Sequence, residues 1–85
     1  MQTIEIEREI HTFLVDNFLF GRNEELADDQ SLLGSVIDST GVLELVAFLQ
    51  NRFGITVEDE EVIQDNLDSV RNLAGYVLRK RNGNA

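Results

Sequence analysis

The residues with the clearest chemical potential in this 85-residue chain stand together at Asp38-Ser39-Thr40-Gly41. Ser39 carries a hydroxyl at the point where a polar loop gives way to the apolar run Val42-Leu43-Glu44-Leu45-Val46. A helix beginning there places the hydroxyl at the surface, at the positive end of the helix dipole, with Ser39 as the expected N-cap. An activated serine would also need a base. The sole histidine, His11, lies on a different segment, with Glu7 and Val15 one turn away, and reads as a surface or boundary residue. Asp38 points elsewhere from a helix start. There is no phosphate-binding glycine loop, and with no cysteine there is neither a disulfide nor a thiolate metal site. A calcium loop built on Gly34 fails, because Leu33 falls on a ligand position and Thr40 stands where a bidentate Glu is needed. No metal site and no catalysis by the chain alone are expected. On local pattern, Ser39 is a helix cap.

The elements that must position Ser39 are helical. Ile6, Ile10, Phe13 and Leu14 share one face of a helix over about 3–18, with Thr3 as N-cap and Asn17 and Gly21 at its exit. Residues 21–38 form a long acidic connection, pinned to the core by Leu26 and the pair Leu32-Leu33. The second helix covers 39–53. Val42, Leu45, Val46, Leu49 and Phe53 make its buried face, and Gly54 ends it. Gly41 in its first turn leaves room for something to approach the backbone. Leu43 and Ala47 flank the buried stripe and either widen the core contact or form an exposed apolar strip.

A short third helix is expected over 59–64, with Val62 and Ile63 inward, Glu58, Asp59, Glu60 and Glu61 outward, and Asp65-Asn66 breaking it. The last helix covers 69–81, capped by Asp68 or Ser69, with Val70, Leu73, Ala74, Val77 and Leu78 inward. Residues 82–85 should fray. The fold class is all-α: a four-helix bundle of three main helices and one short one, a single domain over 1–85. A chain of this size buries only about 60% of its unfolded surface, which leaves no room for a large catalytic cleft.

Sixteen acidic residues against seven basic ones give a net charge of −9. Six acids and no base lie between 24 and 44, and six more between 58 and 68, whereas four of the seven bases fall between 71 and 81. Nucleic acid is excluded as a partner, because phosphates demand a basic face. Basic protein surfaces are the complementary class. No run approaches the roughly 18 apolar residues of a membrane span, and the first residues lack the pattern of a secretory signal. A monomer in a reducing cytoplasm is the expectation.

Taken together, Asp38-Ser39 followed by Val42, Glu44-Leu45 and Phe53-Gly54-Ile55, with Ser31-Leu32-Leu33 before and Ser69 to Arg81 closing the chain, resembles the acyl carrier protein family. The similarity spans nearly the whole chain. It implies an acyl-carrier-like bundle in which Ser39 is esterified with 4′-phosphopantetheine from coenzyme A by a phosphopantetheinyl transferase. The carrier is then loaded by an acyl- or aminoacyl-specific ligase and serves synthases and transferases with basic surfaces, in fatty-acid or specialised lipid metabolism. An aminoacyl or peptidyl carrier shares the fold and the serine, and an unmodified interaction module would keep the fold without the arm. The implied partner-recognition residues are Asp38, Thr40, Leu43, Glu44, Ala47, Glu58, Glu60 and Glu61. The chain departs from the usual family pattern at Val36, where a Gly often precedes Asp-Ser, and at Thr40 and Gly41, where Leu and Asp are usual. It departs again at Gln50 and Asn51, which replace a Glu pair. These departures point away from the housekeeping carrier of fatty acid synthesis and toward a dedicated pathway.

Overall fold

The structure is a computed structural model, and it describes residues 3–19, 26–34 and 36–83. Its helices are α1 (Thr3–Phe18), α2 (Ser39–Phe53), α3 (Gln64–Leu67) and α4 (Val70–Arg81), with a single 3-10 turn at Asp59–Glu61 between α2 and α3. Among the described residues there is no strand, only an isolated bridge between Leu33 and Ile37. The chain is an all-α bundle.

The apolar periodicity places the helices. Ile6, Ile10 and Leu14 recur four residues apart on α1 and are fully buried, which turns one stripe of the helix inward. That stripe lies mainly against α4, whose Val70, Leu73, Ala74 and Val77 are also fully buried. Leu45, Leu49 and Phe53 of α2 complete the core. Gly41 belongs to the buried face of α2, whereas Val42 and Val46 are only half-buried. Leu43 is 71% exposed and Ala47 is also exposed, so the two form an outer apolar strip rather than a wider core contact.

Three boundaries differ from the sequence reading. Thr3 is already helical and not a cap. The N-cap of α2 is Asp38, and Ser39 is the first helical residue. The expected helix over 59–64 is instead the 3-10 turn followed by α3. Val62 (φ −82°, ψ 73°) and Ile63 (φ −130°, ψ 160°) leave helical geometry and separate the two, and Asp65-Asn66 lies inside α3 rather than breaking it. The orientation is reversed as well. Val62 and Ile63 are 38% and 48% exposed, while Glu61 turns in. Its Oε1 accepts from the Glu58 amide (3.0 Å), the Tyr76 hydroxyl (3.0 Å) and Lys80 Nζ (2.9 Å), three donors that a single carboxylate satisfies only by facing α4. The expected exit residue Gly21 and the end of the tail, 84–85, lie outside the described residues.

The long connection is fastened at both ends. At its near end His11 Nε2 lies 3.1 Å from the Leu26 carbonyl, a hydrogen bond that pins the connection to α1. At its far end Asp68 closes the gap between distant parts of the chain. Its carboxylate accepts from the Leu33 amide (3.0 Å), the Leu32 amide (3.2 Å) and the Ser31 hydroxyl (2.9 and 3.0 Å), and its carbonyl also accepts from the Leu32 amide (2.7 Å). With Asp68 so engaged, Ser69 caps α4, its Oγ accepting from the Asn72 amide at 3.0 Å. Gly54 at φ 67° ends α2, and Arg81 Nη1 donates to the Phe53 carbonyl at 2.8 Å.

The Leu33 amide, with the Ser31 hydroxyl and the other donors, holds the Asp68 carboxyl below the ordinary aspartate range. A depressed folded pKa means that the anion stabilises the fold above the unfolded value, and that this contribution fades as pH falls through the folded one. Asp68→Ala is expected to cost about 2 kcal/mol at neutral pH, because it strips the carboxylate acceptor from the Leu33 amide and from the Ser31 hydroxyl, while the Leu32 amide keeps the Asp68 carbonyl. The gap in urea stability between wild type and variant should narrow once pH falls below about 4. Urea unfolding followed by circular dichroism across pH checks both outcomes.

Candidate functional site

The loop before α2 is built to deliver one residue. Leu32 is fully buried, and its carbonyl accepts from both the Val36 and Ile37 amides at 2.9 Å, while the Gly34 amide donates to the Ile37 carbonyl at 3.0 Å. Gly34 sits at φ 86°, a conformation that a side chain disfavours. This tight turn buries Ile37 to 1% exposure immediately before the helix. Asp38 then takes an extended backbone (φ −92°, ψ −176°), and its Oδ1 accepts from the Gly41 amide at 2.7 Å. The Asp38 carbonyl accepts the first helical bond, from Val42, at 3.0 Å. Ser39 follows as the first helical residue, exposed, with its backbone fixed from both sides.

Gly41 is needed for contact rather than for flexibility. A Cβ at this position would lie 2.8 Å from Phe18 Cε1 and 3.1 Å from Ile37 Cγ2. The space left by the missing side chain is therefore filled by a ring from the end of α1. Beside it opens a cleft of about 370 Å³ whose walls include Asn17, Phe18, Val36, Asp38, Thr40 and Glu44. The wall is mixed, with a carboxamide, a hydroxyl and carboxylates facing an aromatic ring and a branched aliphatic.

The sequence-derived site residues fall in two groups. Asp38, Thr40, Leu43, Glu44 and Ala47 are all exposed along the first turns of α2, and Asp38, Thr40 and Glu44 border the cleft. Glu58 and Glu60 are exposed at the 3-10 turn. Glu61 is half-buried and bonded to α4, so its carboxylate faces the fold rather than a partner. The Glu58 amide, and then Lys80, hold its carboxyl below the ordinary glutamate range. Burial, followed by the Glu61 carboxylate, pushes the Tyr76 hydroxyl up. Phe18, Asn17 and Val36 escaped the sequence reading as site residues. The signal that pointed to Phe18 was Gly41 itself, a residue that admits a close neighbour without naming it.

Chemically the arrangement presents a hydroxyl without activating it. The Asp38 carboxylate is engaged by the Gly41 amide, and His11 is held on α1 against the Leu26 carbonyl. Among the described residues no group of three or more His, Cys, Asp or Glu could hold a metal ion, and no helix is long and apolar enough to cross a membrane. What the site does offer is an exposed nucleophile at a helix N-terminus, where an anionic substituent is favoured.

Residues 19–77 match the protein family described as "Phosphopantetheine attachment site". The chain is also similar to an acyl carrier protein of Chloroherpeton thalassium (strain ATCC 35110 / GB-78). The two are 24% identical over 82 residues, a match covering 95% of this chain and 99% of that relative.

Gly41→Ala tests the close packing under the site. A better helix former gains up to about 1 kcal/mol, whereas forcing a methyl against Phe18 and Ile37 costs about 1–3 kcal/mol. A net loss of about 1 kcal/mol is expected from the balance. In a Phe18→Ala background the same change should lose less or become neutral, a coupling that thermal or urea unfolding of the double-mutant cycle reads directly.

Proposed function

Because this chain belongs to the phosphopantetheine-attachment family as an acyl carrier protein family member, we propose that Ser39 is the residue that bears its 4′-phosphopantetheine. The observation that carries the assignment is the placement of Ser39 as the exposed first residue of α2, held by the Asp38 cap and lying in sequence between Asp38 and Thr40, which line the 370 Å³ cleft. The residues fit such a group. The N-terminal end of a 15-residue helix favours the anionic phosphodiester. The mixed wall of Asn17, Phe18, Val36 and Thr40 offers polar and apolar contacts to an arm leaving Ser39. When attached, the arm supplies a terminal thiol that holds an acyl group as a thioester.

The protein's own part is to present and not to catalyse. It keeps the hydroxyl exposed for a phosphopantetheinyl transferase, which brings its own base and metal. It then offers an outer face of α2 to a loading ligase and to acyl-processing synthases and transferases. Glu44 is the only acid within α2 and stands at the rim of the cleft, so it is the charge a basic partner meets next to Ser39. Leu43, 71% exposed on the preceding residue, gives that partner an apolar contact. The departures of α2 from the usual carrier pattern have local uses. Gly41 admits Phe18, and Gln50 Oε1 accepts from the Val57 amide at 3.0 Å. With α2 so nearly neutral, the carrier is suited to the enzymes of a dedicated pathway in the cytoplasm rather than to housekeeping fatty acid synthesis.

Incubation with coenzyme A and a broad-specificity phosphopantetheinyl transferase should add one 4′-phosphopantetheine to the wild type by mass spectrometry and none to Ser39→Ala. No mass gain with several transferases would refute the carrier reading, and a gain that survives the substitution would refute Ser39 as the site. Glu44→Lys should slow transferase and ligase turnover about tenfold by placing like charge before a basic partner, with helicity by circular dichroism unchanged. Unaltered kinetics would remove Glu44 from the recognition surface.

A further inference from the structure

Asp68 lies between α3 and α4, where a short polar side chain ordinarily caps the helix that follows. Its carboxylate has a different task. Ser69 caps α4, with its Oγ accepting from the Asn72 amide at 3.0 Å. Among the described residues no cation pairs with Asp68 either. Gln64 Nε2 donates to its Oδ2 at 3.3 Å, and the other hydrogen bonds to the carboxylate come from Ser31, Leu32 and Leu33. The earlier part of the same connection is held elsewhere, by the His11 ring at the Leu26 carbonyl and by the Arg71 amide, which donates to the Asp28 carbonyl at 2.9 Å. The carboxylate thus acts on the stretch that runs into Ser39, six residues beyond Leu33. In that stretch the Leu32 carbonyl takes the Val36 and Ile37 amides, and Asp38 takes the Gly41 amide.

We propose that Asp68 is a positioning residue for the modification of Ser39: by clasping Ser31 and Leu33 it holds the turn that ends in the Asp38 cap, and so keeps Ser39 in the arrangement that a phosphopantetheinyl transferase takes. The inference rests on Ser39 being the attachment residue, and goes beyond that reading by giving a part in the reaction to a residue 29 positions later in the chain. Loosening the turn leaves the hydroxyl chemically unchanged, but places it correctly only part of the time. The apparent affinity for the transferase then falls by the fraction of time the arrangement is populated, whereas turnover of the bound carrier does not change. Loss of the clasp is therefore read in KM and not in kcat. A variant that is only less stable behaves differently. While it stays more than about nine-tenths folded, its KM rises by no more than about a tenth.

The test is the steady-state rate of transfer from coenzyme A to the full chain by a broad-specificity phosphopantetheinyl transferase at neutral pH, with each variant shown to be folded by circular dichroism. Asp68→Ala should raise KM for the carrier about tenfold and leave kcat within about twofold. Asp68→Asn keeps a side-chain carbonyl that accepts from the Leu33 amide and the Ser31 hydroxyl, so its KM should stay within about threefold of wild type. Ser31→Ala removes a donor from the other side of the same contact and should raise KM about threefold. If Asp68→Ala does not fold, Ser31→Ala decides alone. Val77→Ala opens a cavity in the core, takes no part in the clasp, and should keep the wild-type KM. Unchanged KM in Asp68→Ala and Ser31→Ala would overturn the proposal. So would an equal rise in Val77→Ala, a loss confined to kcat, or an Asp68→Asn variant as impaired as Asp68→Ala. Absence of a mass gain on the wild type would overturn the Ser39 assignment and the proposal with it, and is told apart from those outcomes by the mass spectrum alone.

Discussion

One carboxylate fastens the loop that presents Ser39. Asp68 stands at the junction of α3 and α4, and it takes hydrogen bonds from Ser31, Leu32 and Leu33, residues 35 to 37 positions earlier in the chain. The connection is also tied to α4 where the Arg71 amide donates to the Asp28 carbonyl at 2.9 Å, but the Asp68 carboxylate is what gathers Ser31 and Leu33. With it, Leu32 is driven into the core, the turn from 32 to 37 closes on the Leu32 carbonyl, and Ile37 is buried next to the Asp38 cap. The geometry of the exposed serine is therefore set by an interaction with the opposite end of the sequence. Such an arrangement holds the site still while leaving its surface open, because the ordering contacts all lie beneath it.

The second constraint is steric. Phe18 closes α1 over the first turn of α2, and only a residue without a side chain fits at Gly41 beneath it. From that contact the aromatic series continues, Phe18 edge-on to Phe13, Phe13 stacked on Phe48, and Phe48 edge-on to Phe53. The rings keep the two helices apart by the width of their side chains, whereas α1 lies closely on α4. A bundle arranged this way has one tightly packed side and one seam with relief, which ends where Gly41 meets Phe18.

How much of this could be read in the sequence divides along the range of the interactions. The helical faces of α1 and α4 were legible because Ile6, Ile10 and Leu14, and Leu73, Ala74 and Val77, repeat at a period that one helix alone determines. The cap of α2 was misassigned to Ser39, since Asp38 and Ser39 are adjacent and both residue types accept an N-terminal amide. The burial of Ile37 settles it in favour of Asp38. The third segment was misread because its acids looked like an outward face. Glu61 instead meets Tyr76 and Lys80, 15 and 19 residues away, and that non-local pairing exposes Val62 and Ile63. Asp68 was visible only as one of two capping candidates. Its true partners, like the Phe18 that fills the space at Gly41, lie too far along the chain for any local pattern to show.

The same non-local pairing explains how a chain with seven basic residues can present so acidic a surface. Arg52 is bound to Glu9, Lys80 to Glu61, Arg79 to Asn66 and Arg81 to the Phe53 carbonyl, while Arg71 lies near Asp29. Five of the seven bases are thus directed at the protein's own groups. The more exposed pairs among them, Arg52–Glu9 and Arg71–Asp29, add little to stability, typically ~0–1 kcal/mol each. Their effect on the outer field is larger. Each of these cations is held close to an acceptor of its own fold, and among the described residues Asp38, Glu44, Glu58 and Glu60 have no cation paired with them on the surface around Ser39 and the 3-10 turn. A basic partner approaching that surface meets attraction that the protein's own cations do little to cancel, and the attraction weakens with salt over the roughly 8–10 Å screening length of ordinary buffers.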